Sequence, residues 1–294
     1  MAWTLQPLQA LDVKEFDRWR NLLEERTGIT LSDQQKAFLQ TQVTMRMREL
    51  GLQDYREYYQ KLHDGIWGKA EWSLLVDRLM VKETQFFRHR HSYDSVRQLV
   101  QDRIAAGQLP GSFDVWSVGC STGEEPYSLA MLLNDCFEYA QLEPYFGIFA
   151  TDISMPALSK ARAGIYSERK VEGLSANERQ RYFKDLGDGR YKVIDKLQDR
   201  LCFSQGNVMD FATMPAERMD VIFCQNLLIY FRRWRRREIL NNLVNHLKPN
   251  GLLIIGLGEM VDWKHPQLQR LKDERVQAYS RVDNLGLEGP NGLD

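Results

Sequence analysis

Val115-Trp-Ser-Val-Gly-Cys-Ser-Thr-Gly-Glu-Glu-Pro-Tyr127 runs from a β-rich stretch through a glycine-bearing turn into a helix with Pro126 near its first turn. Glycines 119 and 123 let the backbone approach a ligand closely. Their spacing is G-x-x-x-G, not the dinucleotide pattern G-x-G-x-x-G. Glu124 and Glu125 fall where a pyrophosphate would need to rest. Two carboxylates there repel phosphate and favour a cationic group, such as the amino group of a methionine moiety. A tight βα turn whose acids offset the helix dipole accounts for the same residues. The next strand ends Ala150-Thr-Asp152, a carboxylate suited either to a ribose diol or to capping the helix that follows. Asn207, just after a third strand, suits an adenine edge or a plain turn. Together these residues describe a nucleoside ligand with an ammonium group and no phosphate. S-adenosylmethionine fits that description; NAD and ATP do not.

The elements that must position these groups follow from composition and periodicity. The chain has 294 residues, 43% apolar and 27% charged, with 7 Trp, 12 Tyr and 13 Phe, so a packed globular state is expected rather than disorder. That length allows two domains. The net charge of −1 gives no global field toward nucleic acid or anionic lipid. The longest uncharged apolar runs, Val221–Phe231 and Gly251–Gly258, fall short of a membrane span. The N-terminus lacks the basic start and apolar run of a signal peptide. Cysteines 120, 136, 202 and 224 form no CxxC pair, which argues for a reducing cytoplasm and against a disulfide framework or zinc site. No metal and no nucleic-acid partner are expected.

Residues 10 to about 105 read as helical: Leu11, Phe16, Trp19, Leu22 and Leu23 recur at helical spacing. Ser32 reads as an N-cap before a stripe of Phe38, Leu39, Val43 and Met47, and Gly51 stops that helix. Further helices are expected from Asp54, over Trp72–Met80 and over Tyr93–Ala106. After Gln108-Leu-Pro-Gly-Ser112 the pattern changes to strands and helices in alternation, which implies an α/β fold with a doubly wound parallel sheet. Its expected elements are Phe113–Val118, Pro126–Tyr139, Gly147–Thr151, Met155–Ala163, Leu201–Ser204, Asp220–Cys224, Trp234–His246, a turn at Lys248-Pro-Asn-Gly251, and Leu252–Leu257. A hairpin over Leu268–Val282 closes the sheet, and the tail from Asn284 is expected to be disordered. Ile165 to Lys196 interrupts the alternation with a helix over Ser175–Phe183 and a hairpin at Asp188-Gly189, read as an inserted β excursion. The expected domains are a helical one over 1–107 and a sheet domain over 108–284, with the insertion at about 165–200 and a tail over 285–294.

Four segments, in order, resemble the CheR family of chemoreceptor glutamate methyltransferases. Gly119-Cys-Ser-Thr-Gly-Glu-Glu-Pro-Tyr-Ser128 is similar to the family's first motif. Thr84-Gln-Phe-Phe-Arg88 matches N-x-T-x-F-F-R, Cys224-Gln-Asn-Leu-Leu-Ile-Tyr-Phe231 matches C-R-N-V-x-I-Y-F, and Leu247-Lys-Pro-Asn-Gly-Leu-Leu253 matches the turn into the fifth strand. The resemblance spans residues 12 to 283. It implies a class I S-adenosylmethionine-dependent methyltransferase fold, with an N-terminal all-α domain and a small antiparallel insertion. S-adenosylmethionine would be the cofactor and S-adenosylhomocysteine the product. Carried over residue by residue, Thr84 and Arg88 reach the cofactor from the helical side, with Arg88 near the methionine carboxylate. Glu125 holds the amino group, Asp152 the ribose, and Asn207 and Val208 flank the adenine. Gln225 and Asn226 line the pocket near the methyl donor, and Tyr230 lies by the acceptor. Gly119 is the cofactor-facing glycine. Lys82 stands where the family has Asn, and Gln225 where it has Arg, so one cofactor contact and one basic residue are altered.

The implied reaction is displacement of a methyl group by a glutamate carboxylate of a methyl-accepting receptor, giving a methyl ester. A Glu of ordinary pKa, about 4.3, is ionised at pH 7, so no general base is needed. His63, His89 and His91 would matter only for an amine or hydroxyl acceptor. The family's basic helix places Arg46 and Arg48 on a docking face toward the receptor's acidic helices. Arg232-Arg-Trp-Arg-Arg-Arg237 reads as a solvated helix face, an acidic-partner surface or an RNA grip. The insertion's hairpin between Phe183 and Val193 is shorter than in members that bind a receptor's C-terminal pentapeptide, so no such tether is expected. A cytoplasmic monomer is expected. A methyltransferase with another acceptor, or a noncatalytic sensor of S-adenosylmethionine, are the alternatives.

Overall fold

The computed structural model describes residues 11–80, 83–109, 111–143, 145–210 and 218–282. Lys82 and the tail from Asn284 onward, both named above, lie outside them. The chain opens with helices α1 (Val13–Thr27), α2 (Lys36–Glu49), α3 (Tyr55–Lys61) and α4 (Gly65–Leu79), followed by α5 (Arg90–Ala105). Helix α1 starts where Asp12 accepts a hydrogen bond from the Glu15 N–H and ends at Gly28, whose φ of 78° suits glycine. Ser32 and Gln35 form a capping box on a short 3-10 turn that leads into α2. Helix α4 begins seven residues before the expected Trp72, because Gly65 and Gly68 hide the helical pattern at its start. Gly68 is there for space: a Cβ would sit 2.7 Å from the Leu62 carbonyl oxygen.

The alternating part gives β1 (Phe113–Val118), α6 (Glu124–Tyr139), β2 (Phe146–Asp152) and α7 (Met155–Ala163). The insertion follows as β3 (Ile165–Ser167), α8 (Glu168–Val171), α9 (Ala176–Tyr182), β4 (Phe183–Asp185), β5 (Arg190–Val193) and α10 (Asp195–Gln198). The main sheet resumes with β6 (Leu201–Gln205), β7 (Met219–Cys224), α11 (Arg233–Asn245), β8 (Leu247–Ile255), β9 (Leu268–Arg270) and β10 (Gln277–Arg281). Its strand order is β6-β2-β1-β7-β8-β10-β9. The first five run parallel, and β10 is antiparallel to both β8 and β9. The order reverses direction at β1, which leaves a crevice at the carboxyl ends of β1 and β7. The insertion is a separate antiparallel sheet, β3-β5-β4. Its hairpin turns on Gly187, Asp188 and Gly189, all with positive φ.

Strand alternation divides the core. Val115, Val221, Phe223, Leu252 and Ile254 face α5, α6 and the insertion. Trp116, Ile222, Cys224, Leu253 and Ile255 face α11 and share one core with the N-terminal helices. The sequence groups α5 with the helical domain because it ends an unbroken helical run. In the structure Tyr93, Val96 and Val100 pack instead on the sheet side with Leu129 and Leu133 of α6. The expected turn at Lys248–Gly251 lies inside β8, as a register shift: Met219 pairs with Leu247 and Val221 with Leu252. Asn250, with φ 56°, carries the bend.

Candidate functional site

The turn after β1 is built by backbone. The N–H groups of Gly119 and Cys120 both donate to the Thr151 carbonyl, at 2.8 and 2.9 Å, which ties the ends of β1 and β2 together. Gly119 has φ 76°, and a Cβ there would press on Leu227 at 3.1 Å. Gly123 serves packing rather than ligand approach: a Cβ would lie 2.8 Å from the Tyr166 hydroxyl and 2.9 Å from Ala161. It does not line the cavity described next.

A cavity opens where the carboxyl ends of β1, β2 and β7 meet the N-terminal helices. Gly119, Ser121 and Glu125 form its floor, Asp152 and Ile153 one wall, and Gly206, Asn207 and Val208 its far end. Gln225, Asn226, Ile229 and Tyr230 form the opposite wall, and Thr84 and Arg88 close it from the linker before α5. The ten described site residues named from the sequence, from Thr84 to Tyr230, therefore line one cavity. Thr27, Ile29 and Met80 also line the cavity, and sequence reasoning missed them. Their signal is weak, because each is one residue at a helix end brought in by tertiary packing.

Glu125 and Glu124 part company. Ser117 Oγ donates to Glu125 Oε1 at 2.7 Å, and Glu125 faces the cavity. Burial pushes its carboxyl up to about 8, with repulsion from Glu259 adding to this while the Ser117 hydrogen bond and Arg88 oppose it. Glu124 is fully buried and turns away. Its carboxylate meets Lys170 Nζ at 2.7 Å and accepts from Thr122 Oγ1 at 2.6 Å. Lys170 also donates to the Thr84 carbonyl at 2.6 Å, so α8 of the insertion braces the linker against α6. The expectation that both acids await the ligand is corrected: adjacent helix positions point about 100° apart, and only one faces the cavity.

Asp152 joins two turns. Its Oδ2 accepts from the Ser121 N–H and its Oδ1 from the Ser154 N–H, each at 2.8 Å. The N-cap of α7 is Ser154, whose hydroxyl accepts from Ala157 at 3.1 Å. Asn207 is largely committed to structure. Its Oδ1 accepts from the Met209 N–H at 3.0 Å, and its amide donates to the Arg26 carbonyl of α1 at 3.3 Å. Gln225, in the position of the family's arginine, is buried and donates to Ser92 Oγ at 2.7 Å and to the Ile255 carbonyl at 3.3 Å. Burial raises the Tyr230 hydroxyl above its ordinary value.

Strained backbone gathers here. Ser121 and Asn226 line the cavity with φ of 49° and 58°, and Phe87 and His89 flank Arg88 with φ of 51° and 59°. The linker is pinned through its aromatics: Phe86 stacks edge-on against Tyr166 and Phe183, and Phe87 against Tyr93. Among the described residues no histidine lines the cavity. His89 and His91 are exposed, and His63 hydrogen-bonds to the Tyr59 carbonyl.

Two expectations about basic surfaces change. Arg46 donates from Nε and Nη2 to the two carboxylate oxygens of Glu71, at 2.7 and 2.6 Å, and from Nη1 to Glu49 at 2.7 Å. Tyr58 donates to the same Glu71 at 2.6 Å. Arg46 therefore ties α2 to α4 and does not present its charge outward; Arg48 is exposed. In the arginine run, Arg232 pairs with Glu24 of α1 and Arg235 with Glu238. Arg236 donates to the carbonyls of Phe231 and Glu259, both at 2.8 Å. Three of the five arginines are thus engaged within the protein, while Arg233, Trp234 and Arg237 stay exposed on the face of α11.

A carboxyl buried with no ion-pair partner among the described residues, lining the same cavity as an aspartate at the end of β2, fits a ligand carrying an ammonium and a ribose. The acid-bearing turn offers no cradle for phosphate. A doubly wound sheet with this crevice defines an S-adenosylmethionine-dependent methyltransferase. Residues 82–277 match the CheR methyltransferase SAM binding domain, and residues 14–80 match the CheR methyltransferase all-alpha domain. The chain belongs to the CheR family, and S-adenosylmethionine is its cofactor. It is 35% identical over 282 residues to the chemotaxis protein methyltransferase of Escherichia coli K12, covering 92% of this chain and 93% of that one. Identity to the chemotaxis protein methyltransferase of Borreliella burgdorferi is 29% over 250 residues, covering 84% of this chain and 88% of that one. The probable biofilm formation methyltransferase WspC of Pseudomonas aeruginosa is 33% identical over 245 residues, 83% of this chain but 56% of that protein. No helix among the described residues is long and apolar enough to cross a membrane.

Proposed function

We propose that this protein transfers the methyl group of S-adenosylmethionine to glutamate side chains of methyl-accepting chemotaxis receptors in the cytoplasm, acting as a monomer. The observation that carries the reading is a cavity with a cation-seeking carboxyl, Glu125, and no histidine to serve as a base. When bound, the cofactor supplies an electrophilic methyl group on a sulfonium. Glu125 would hold its ammonium, Arg88 its carboxylate, Asp152 its ribose, and Asn207 and Val208 its adenine. Asn207 has little side-chain capacity left, so its part is to set the Gly206–Val208 backbone beside the base. Gln225 and Asn226 shape the wall near the methyl group, and Thr84 and Gly119 close the pocket. Tyr230 would orient the acceptor carboxylate through its hydroxyl, which burial keeps protonated. An ionised carboxylate needs no proton removed, and a partly dry site favours its approach to a cation because charge is neutralised on reaction.

The test is methyl transfer from radiolabelled S-adenosylmethionine to receptor-bearing membranes, followed by alkali. Label released as volatile methanol from a receptor band is expected, at equal rates whether or not the receptor keeps its C-terminal tail. Alkali-stable label would point to another acceptor. Cofactor binding without any transfer would point to a sensor. A large loss on removing the tail would show that the short hairpin still recruits it.

Asp152→Ala is expected to raise the cofactor's dissociation constant at least tenfold. It removes a charged acceptor worth about 1.5–3 kcal/mol to the ribose. Because the same carboxylate holds the Ser121 and Ser154 N–H groups, the melting temperature should also fall modestly. Unchanged binding by calorimetry would displace the ribose from Asp152.

A further inference from the structure

One wall of the cavity continues onto the surface. Ile229 lines the cavity and is itself 52% exposed, so the mouth opens beside it. Trp234, Leu257 and Val261 are 56%, 62% and 62% exposed. These side chains come from three segments that hydrogen bonds hold together. Arg236 of α11 donates to Phe231 on one side and to Glu259 on the other, both at 2.8 Å. Glu259 Oε2 accepts from the Gly256 N–H at 2.9 Å, which closes the loop carrying Leu257. Gly256 permits that closure, since a Cβ there would lie 2.5 Å from the Glu259 carboxylate. Trp263 Nε1 donates to Asn241 of α11 at 3.1 Å and anchors the loop's far end. The apolar side chains thus stand on a braced platform rather than on loose loops.

Charge distinguishes this platform from other exposed apolar groups. Arg233, Arg237 and Lys264 are exposed on the same segments, against the single exposed carboxylate of Asp262. Arg233 and Asp262 are 3.9 Å apart with side chains 65% and 80% exposed, a weak pairing that an incoming acid can displace. The exposed apolar groups of α4, Ile66, Trp67 and Leu74, do not line the cavity.

We propose that Trp234, Leu257 and Val261, with Ile229 at the cavity's lip, receive the apolar side of an amphipathic acidic helix of the acceptor protein. Arg233 and its neighbours take that helix's flanking carboxylates, and the acceptor glutamate is presented at Tyr230. A helix offering anchors at i, i+3, i+4 and i+7 suits a patch of this kind. The inference rests on the receptor reading above and names the surface by which that substrate docks.

Steady-state methyl transfer by the full-length protein to receptor membranes tests it. The double variant Leu257→Ser/Val261→Ser is expected to raise KM for receptor at least tenfold, with kcat and the cofactor's dissociation constant within twofold of the unmodified protein. Arg233→Glu is expected to raise KM and to flatten its salt dependence. Ile66→Ser, on α4, serves as the reference and is expected to change nothing. A KM unmoved by the double variant, or moved by Ile66→Ser instead, overturns the platform. So does a cofactor affinity that falls in step with KM, because the loop would then be shaping the cavity. An unmodified protein that transfers nothing to the receptor overturns the receptor reading itself, and the proposed occupant with it.

Discussion

Replacing Glu125 with glutamine is expected to weaken S-adenosylmethionine binding by about 100-fold while making the ligand-free protein more stable at pH 8. Both effects come from one carboxyl held in a partly dry site. The substitution keeps the shape and the Ser117 hydrogen bond but removes the charge that would face the ammonium. Loss of one partner from a desolvated charge pair costs about 2–5 kcal/mol. Stability moves the other way because burial pushes the Glu125 carboxyl up to about 8 in the folded protein. The unfolded chain ionises the same group near its ordinary value of about 4.3. Between these values the folded state holds one more proton than the unfolded state, so stability falls as pH rises from about 4.3 to 8 and then levels off. Glutamine has no such proton, and the variant should lack that decline. Melting temperatures from pH 5 to 8, with and without the substitution, check the sign.

The same carboxyl makes cofactor binding pH-dependent. Only the ionised form pairs with an ammonium, so affinity should rise from pH 6 to about 8 and one proton should be released on binding. Above pH 8 the ligand's own α-amino group, of ordinary pKa about 7.7–8.0, loses its charge and affinity should fall again. Calorimetry in two buffers of different ionisation enthalpy measures the proton directly. A pH-independent affinity in the unmodified protein would separate Glu125 from the ammonium.

How far the sequence reveals this site depends on how local each role is. Gly119, Glu125 and Asp152 were legible because a strand, a tight turn and a helix N-terminus are contiguous, and the doubly wound fold places that turn at a crevice. Tyr230 and Gln225 were placed by the resemblance of Cys224–Phe231, since a strand end alone does not say what lies beyond it. The residues that were less legible answer to partners far along the chain. Glu124 is turned away by Lys170, and Arg46 is taken by Glu71. Asn207 is drawn to the Arg26 carbonyl of α1. The arginine run was left open among a solvated face, an acidic-partner surface and an RNA grip because its acceptors, Glu24 and the carbonyls of Phe231 and Glu259, come from three separate segments. That helix α5 packs on α6 was not legible for a related reason: an amphipathic stripe shows that a helix is covered, not by what. The bend in β8 was seen as a turn because Lys-Pro-Asn-Gly has turn chemistry, and the pairing of Leu247 with Met219 is visible only in three dimensions.

The opposite end of the sheet is expected to carry stability in place of binding, and Asp220→Ala should show it. Asp220, 1% exposed at the start of β7, accepts from the Asp114 N–H at 2.8 Å and from Lys248 Nζ at 2.7 Å. Arg103 of α5 donates to its other oxygen, and also to the Asn250 carbonyl at 3.0 Å. One carboxylate therefore joins β1, β7, the bend of β8 and the helix that covers them. Its loss leaves the part-buried Arg103 without a carboxylate and Lys248 with Asp114 alone, at 2.9 Å, a situation that costs about 3 kcal/mol. In a chain of this size that amounts to a fall of roughly 10 °C in melting temperature. Strand β7 then runs about 13 Å from Asp220 to Cys224, at about 3.3 Å per residue, before the cavity begins at Gln225. Well below the melting temperature the cofactor's dissociation constant should accordingly stay within twofold. If it rose as steeply as stability fell, the ion cluster would be shaping the cavity through β7. If stability did not fall, water would be reaching Arg103 and Lys248 well enough to replace the carboxylate. The division has a physical basis in the parallel sheet: strand starts can be locked by buried charges because no ligand enters there, whereas at the strand ends no cation among the described residues forms an ion pair with Glu125, so an incoming one can be held.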